Sequence, residues 1–325
     1  MTNPSQGGPP ANLGLFRFTI EGRAAPGLFV AGWIMVLVGG SAAVVGLLGG
    51  GNVPATVLFV VGLAVLLVAL TLLGGSQAIE RRQAGLGYAG PSPILAFAAL
   101  VVGLYLAAFA VGTPLMLLGL HADGPALALL GVTIQGVVVV VLLRLMVVGS
   151  GALTWHDMGV RRPDRLALRE FARGALLALP MIFLTGAAAF ALVTATGQRP
   201  ASPLPPAGSF AGLLLNLLAA AVIAPLYEEL FFRGFTLTAW RLMTGAQMAI
   251  VRSAVLFALV HALDQTGTSF SAAFGAAVVA AGARLPLALA QGWVFDRRRS
   301  LWAAIGLHAT FNAILVLVSE QALLR

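Results

Sequence analysis

Glu228 and Glu229 are adjacent acids inside an apolar run, Ala221–Phe235, with Arg233 four residues beyond the second. A carboxylate in hydrocarbon costs roughly 2.5–3.5 kcal/mol on insertion scales, so an acid in a membrane span marks function by default. More polar groups follow at helical spacing: Phe257 with His261, then His308 with Asn312. Carboxylates and imidazoles together can move protons, and imidazole and amide donors can bond a developing oxyanion. Those are the needs of amide hydrolysis: a base for water, a donor for the oxyanion and a proton for the leaving amine.

Spacing within each helix divides the roles. Glu229 and Arg233 stand i,i+4 on one face and can pair. Glu228 is turned about 100° from its neighbour and faces elsewhere. His308 and Asn312 are also i,i+4 and project together. Depth can be read from the flanking arginines. Glu228 lies about 20 Å along the helix from Arg241, and His261 and His308 each lie roughly 13 Å from Arg252 and Arg299. A tilt of the long sixth run would bring the acid to the depth of the histidines.

The elements that must position these groups are membrane helices. The chain has 325 residues, 59% of them hydrophobic and only 9% charged, with a mean hydropathy of +0.97. A soluble domain carries about 25% charged residues, so this composition predicts an all-α integral membrane protein, a polytopic helical bundle; the depth of the acid and the histidines puts the expected site in a cytoplasm-facing intramembrane cavity. Nine apolar runs lie near spanning length, at about 27–48, 53–74, 92–119, 125–148, 172–195, 208–240, 247–264, 268–293 and 300–322. Eight or nine spans are expected. Arginine-rich connections alternate with arginine-poor ones, which puts the N-terminus in the cytoplasm of a multi-pass cell-membrane protein. The Gly/Ala/Arg-rich, lysine-free composition points to a prokaryote.

Three segments follow. Residues 1–25 read as a disordered cytoplasmic N-terminus, 26–150 as transmembrane helices without a motif, and 151–325 as the motif-bearing part. Cysteine is absent, which excludes disulfides and thiolate chemistry, and the basic residues are all arginine. The net charge of +8 fits loops facing an anionic leaflet, so the lipid bilayer and not nucleic acid is the expected partner. Arg284 is an intramembrane charge whose candidate partners are Asp264 and Asp296.

The ordered set Glu228-Glu229-Leu-Phe-Phe-Arg233, Phe257-Ala-Leu-Val-His261 and His308-Ala-Thr-Phe-Asn312 resembles the CPBP family, the CAAX proteases and bacteriocin-processing proteins also called Abi. The resemblance covers about residues 150–325. It implies an intramembrane endopeptidase that cleaves a membrane-anchored peptide or protein. Glu228 and His261 would activate water, and His308 and Asn312 would stabilise the oxyanion. Glu229, Arg233 and Phe257 would be structural or orienting. A glutamate mechanism without a cofactor is favoured. The alternative is a zinc site of Glu228, His261 and His308, three ligands with an open fourth position. Two other functions compete: a non-enzymatic scaffold or bacteriocin-immunity protein of the same fold, and a proton-coupled transporter.

Overall fold

A computed structural model describes residues 24–119, 124–263 and 265–320. The expected disorder at the N-terminus falls on residues outside that range, as does Asp264. Twelve α-helices are described, with no strand among the described residues. The first four are α1 (Pro26–Leu48), α2 (Val53–Gln83), α3 (Pro93–Leu117) and α4 (Pro125–Leu143). Each has proline in its first turn, where the missing N–H costs nothing. Asn52 and Ser92 cap α2 and α3 by accepting from the third residue onward. The helices α1 and α2 pack closely along glycines; a Cβ on Gly39 would meet the Gly62 carbonyl at 2.8 Å.

After a polar stretch come α5 (Arg165–Leu176) and α6 (Ala178–Thr196), separated only by Leu177. With Arg165, Arg169 and Arg173, α5 is thus the charged entry to a span. Asp164 caps α5, and Glu170 on α5 receives Nε of Arg298 at 2.6 Å. The outward faces are apolar, as a lipid environment requires: Phe183 and Phe190 of α6 are largely exposed.

The sixth run is one long rod with two wide turns. It comprises α7 (Phe210–Leu217), a π-helical turn Leu218–Ile223, α8 (Ala224–Glu229), a second π-helical turn Leu230–Leu237, and α9 (Thr238–Thr244). Gly245, at φ 82°, ends it and α10 (Ala246–Val260) follows. The last two helices are α11 (Phe270–Arg298) and α12 (Leu301–Ser319).

Among the described residues, eight helical stretches are long and apolar enough to cross a bilayer. The run at 247–264 falls short. Its helix α10 has 15 residues, about 22 Å, against a hydrocarbon layer of about 30 Å. His261 is the capping residue at its end.

The core joins both halves of the chain. Phe231, Phe235 and Phe257 from the motif-bearing part pack with Ala96 and Ala99 of α3 and Leu143 of α4. The motif-free N-terminal helices are therefore part of the wall behind the glutamates.

Candidate active site

The two glutamates face different surroundings. Glu229 is fully buried (0% exposed), as is Arg233, whereas 18% of the Glu228 side chain is accessible. Glu229 Oε1 accepts from Arg233 Nη1 at 3.1 Å. The same oxygen lies 2.7 Å from His308 Nδ1. A carboxylate only accepts, so Nδ1 carries the hydrogen and donates. Nε2 of His308 then faces Glu228 Oε2 at 3.8 Å. One imidazole thus spans both acids, held by the buried one and turned toward the accessible one.

Arg233 is held from several sides. Its Nη2 donates to Gln291 Oε1 at 2.6 Å and to the Ala288 carbonyl at 3.3 Å, both on α11. Its guanidinium lies 4.5 Å from the Phe257 ring centroid. Delocalised charge over an aromatic face is favourable, the more so when desolvated. Gln291 is a site residue that helical spacing does not reveal, because its partner is on another helix. A lone glutamine in a spanning run was the only signal.

Phe257 connects the two histidines. Its ring centroid is 4.6 Å from that of His261 and 5.9 Å from that of His308. His261 Nδ1 is 2.8 Å from the Phe257 carbonyl, one turn back. That oxygen can only accept, so Nδ1 of His261 is also protonated, and Nε2 is left as the second ring nitrogen.

Asn312 reaches from α12 to the sixth run. Its Nδ2 donates to the Ala220 carbonyl at 2.8 Å, in the first π turn of the sixth run. Arg284 donates from Nη1 to the carbonyl of Ala280 on its own helix, while Asp296 accepts from Arg241 Nε at 2.7 Å.

The backbone of the rod is shaped for this site. Proline at 225 lacks an N–H and its ring crowds the carbonyl four residues earlier, which a wide turn relieves. Side chains bond carbonyls in the second wide turn: the Ser253 hydroxyl donates to Phe232 O at 2.8 Å. Close packing sets the position of His308. A Cβ on Gly306 would overlap the Phe171 carbonyl, and one on Gly174 would overlap that of Ala303. Only glycine at both positions lets α5 and α12 cross this closely.

Charge within the cluster is nearly balanced. Two carboxylates face one guanidinium, so one further proton brings the group to neutrality. No three His, Asp or Glu side chains among the described residues are grouped to hold a metal ion.

Beside the glutamates is an apolar cavity of about 500 Å³. Gly136 and Val137 of α4, Tyr227, Leu230, and Leu301 and Ile305 of α12 line it. Tyr227 immediately precedes Glu228, and its hydroxyl donates to Gln135 Oε1 on α4 at 2.8 Å. Gln135 is a second intramembrane polar residue that the motifs did not mark.

No curated protein and no solved structure matches the chain. The family described as type II CAAX prenyl endopeptidase Rce1-like matches residues 210–314. That stretch holds both glutamates, Arg233, Phe257, both histidines and Asn312. Over residues 210–314 the chain is therefore similar to the Rce1-like CAAX protease family.

Proposed function

We propose that this protein is an intramembrane endopeptidase in which Glu228 activates water against a peptide bond of a membrane-associated substrate. The observation that carries the reading is the line Glu229–His308–Glu228, with distances of 2.7 and 3.8 Å and only Glu228 accessible. A gap of 3.8 Å between polar atoms is one that a water can bridge.

In this mechanism Glu228 takes a proton from water as the oxygen adds to the scissile carbonyl carbon. His308, protonated and held by Glu229, donates its Nε2 hydrogen to the carbonyl oxygen as that oxygen gains charge. His261, protonated at Nδ1, has Nε2 to share the proton taken from water. Collapse of the tetrahedral intermediate breaks the C–N bond as the proton held by Glu228 passes to the leaving amine and the hydrogen lent by His308 returns to Nε2. The products are a carboxylic acid and an amine, which become a carboxylate and an ammonium. Arg233 keeps the Glu229 charge balanced throughout. The apolar cavity would take an apolar part of the substrate beside Tyr227. The alternation of arginine-rich and arginine-poor connections supports a cytoplasmic N-terminus in a cell membrane.

The experiment is cleavage of a labelled membrane-peptide library by purified protein in detergent. Wild type should cleave, and Glu228→Gln and His308→Ala should not. Cleavage that survives Glu228→Gln sinks the mechanism. No cleavage by wild type moves the reading to a scaffold or a transporter.

A further inference from the structure

The carbonyl of Ala220 has lost its helical donors. In an α-helix it would accept from the N–H of residue 224, but Ala224 N–H bonds Ala219 O instead, five residues back. In the wide register the donor would be the N–H of residue 225. That residue is proline, which has none. A buried carbonyl without a partner costs about as much as a lost hydrogen bond. Asn312 Nδ2 fills the position at 2.8 Å, from the helix that also carries His308 one turn earlier.

We propose that Asn312 is a positioning residue: its amide stands in for the missing Pro225 N–H and fixes the helical phase at which α8 presents Glu228 to His308. The inference rests on the proposed endopeptidase activity for its kinetic readout, but not for its structural one. It assigns Asn312 a different part from the oxyanion donor that the family resemblance implies. The partners of the Ala220–Asn312 bond are 92 residues apart in sequence, and the bond ties the first π turn, just before α8, to α12. Glu228 is three residues after Pro225, so the phase set at this bond is the phase of the acid. A change of phase would carry Glu228 around the axis by up to about 100° per residue of slip.

The competing roles differ in what restores function. Pro225→Ala returns an N–H to the position that faces Ala220 O. If Asn312 serves that carbonyl, Pro225→Ala compensates for its loss. If Asn312 serves the substrate, it cannot.

The test uses the full chain in detergent, as wild type, Asn312→Ala, Pro225→Ala and the double variant. Hydrogen exchange over residues 219–230 is measured beside cleavage. Asn312→Ala should exchange faster and lose about tenfold or more in kcat, with KM within about threefold, as expected for one lost part-buried hydrogen bond. The double variant should recover both readouts to within about threefold of wild type, and Pro225→Ala alone should stay within the same range. Restored exchange without restored kcat overturns the proposal, as does unchanged exchange in Asn312→Ala or a larger loss in Pro225→Ala alone. If Asn312→Ala does not fold, recovery of folded double variant supports the proposal and failure of both overturns it. Should wild type cleave nothing, the proposed function fails, and the exchange pattern alone decides this inference.

Discussion

Glu229 Oε1 lies 2.7 Å from His308 Nδ1 while also accepting from Arg233 at 3.1 Å, so a single buried oxygen serves both an ion pair and a histidine. The pairing with Arg233 follows from i,i+4 spacing. The contact with His308 adds a second role: Glu229 sets which nitrogen of the imidazole faces Glu228. Glu229, expected to be structural or orienting, is thus placed to orient His308.

Replacing the two acids should separate stability from activity. Glu229→Gln removes the charge opposite a fully buried arginine, and breaking such a pair costs about 3–5 kcal/mol. Thermal unfolding in detergent should show a large fall in Tm together with lost cleavage. Glu228→Gln should leave Tm unchanged or raised and lower kcat by roughly 10²–10⁴. The opposite pattern would assign the two roles the other way round.

Gln291 should matter for folding and little for chemistry. Its Oε1 accepts from Arg233 at 2.6 Å in a buried setting. Gln291→Leu leaves that donor short of an acceptor and should cost about 1–3 kcal/mol in stability. At a temperature where the variant is folded, cleavage should stay within about threefold of wild type, since Glu229 still holds the guanidinium.

The crossing of α5 and α12 gives a third prediction. Gly306→Ala puts a methyl group onto the Phe171 carbonyl, two residues before His308. Either α12 shifts or the crossing opens, and kcat should fall about tenfold or more, because misplacement by an ångström is costly to catalysis. Gly186→Ala, where a Cβ meets nothing within 4 Å, is the matched control and should leave kcat and Tm unchanged. Equal effects of the two would remove the crossing from the account of the site.

Chelation addresses the metal directly. Protein dialysed against a strong chelator should cleave at the rate of untreated protein. Loss of cleavage that added zinc restores would overturn the glutamate mechanism and call for a ligand set beyond Glu228 and His308.

Much of the site was legible in residue types and spacing. Glu229 with Arg233, and the order of the Glu, His and His clusters, are local patterns on single helices. The partners between helices were not legible. Gln291 meets Arg233 from α11, and Asn312 meets Ala220 from α12; a sequence does not display which helices adjoin. The π turns also escaped a reading based on 3.6 residues per turn, because each inserts a residue into an otherwise continuous apolar pattern. Pro225 was the one visible trace of the first. The short helix α10 looked like a span because its apolar composition continues past its helical end at Val260.

The unequal reach of the two adjacent acids also bears on chemical modification. Glu228 has 18% of its side chain open, whereas Glu229 has none. A hydrophobic carbodiimide partitions into the detergent or bilayer and reacts with carboxyl groups it can touch. It should therefore form its adduct at Glu228 and spare Glu229, and mass spectrometry of the 219–230 peptide would locate it. An adduct on Glu229 would mean that the buried acid is released to the membrane phase. Labelling of one residue in a pair would give a stoichiometric count of functional sites, without the need to know the substrate first.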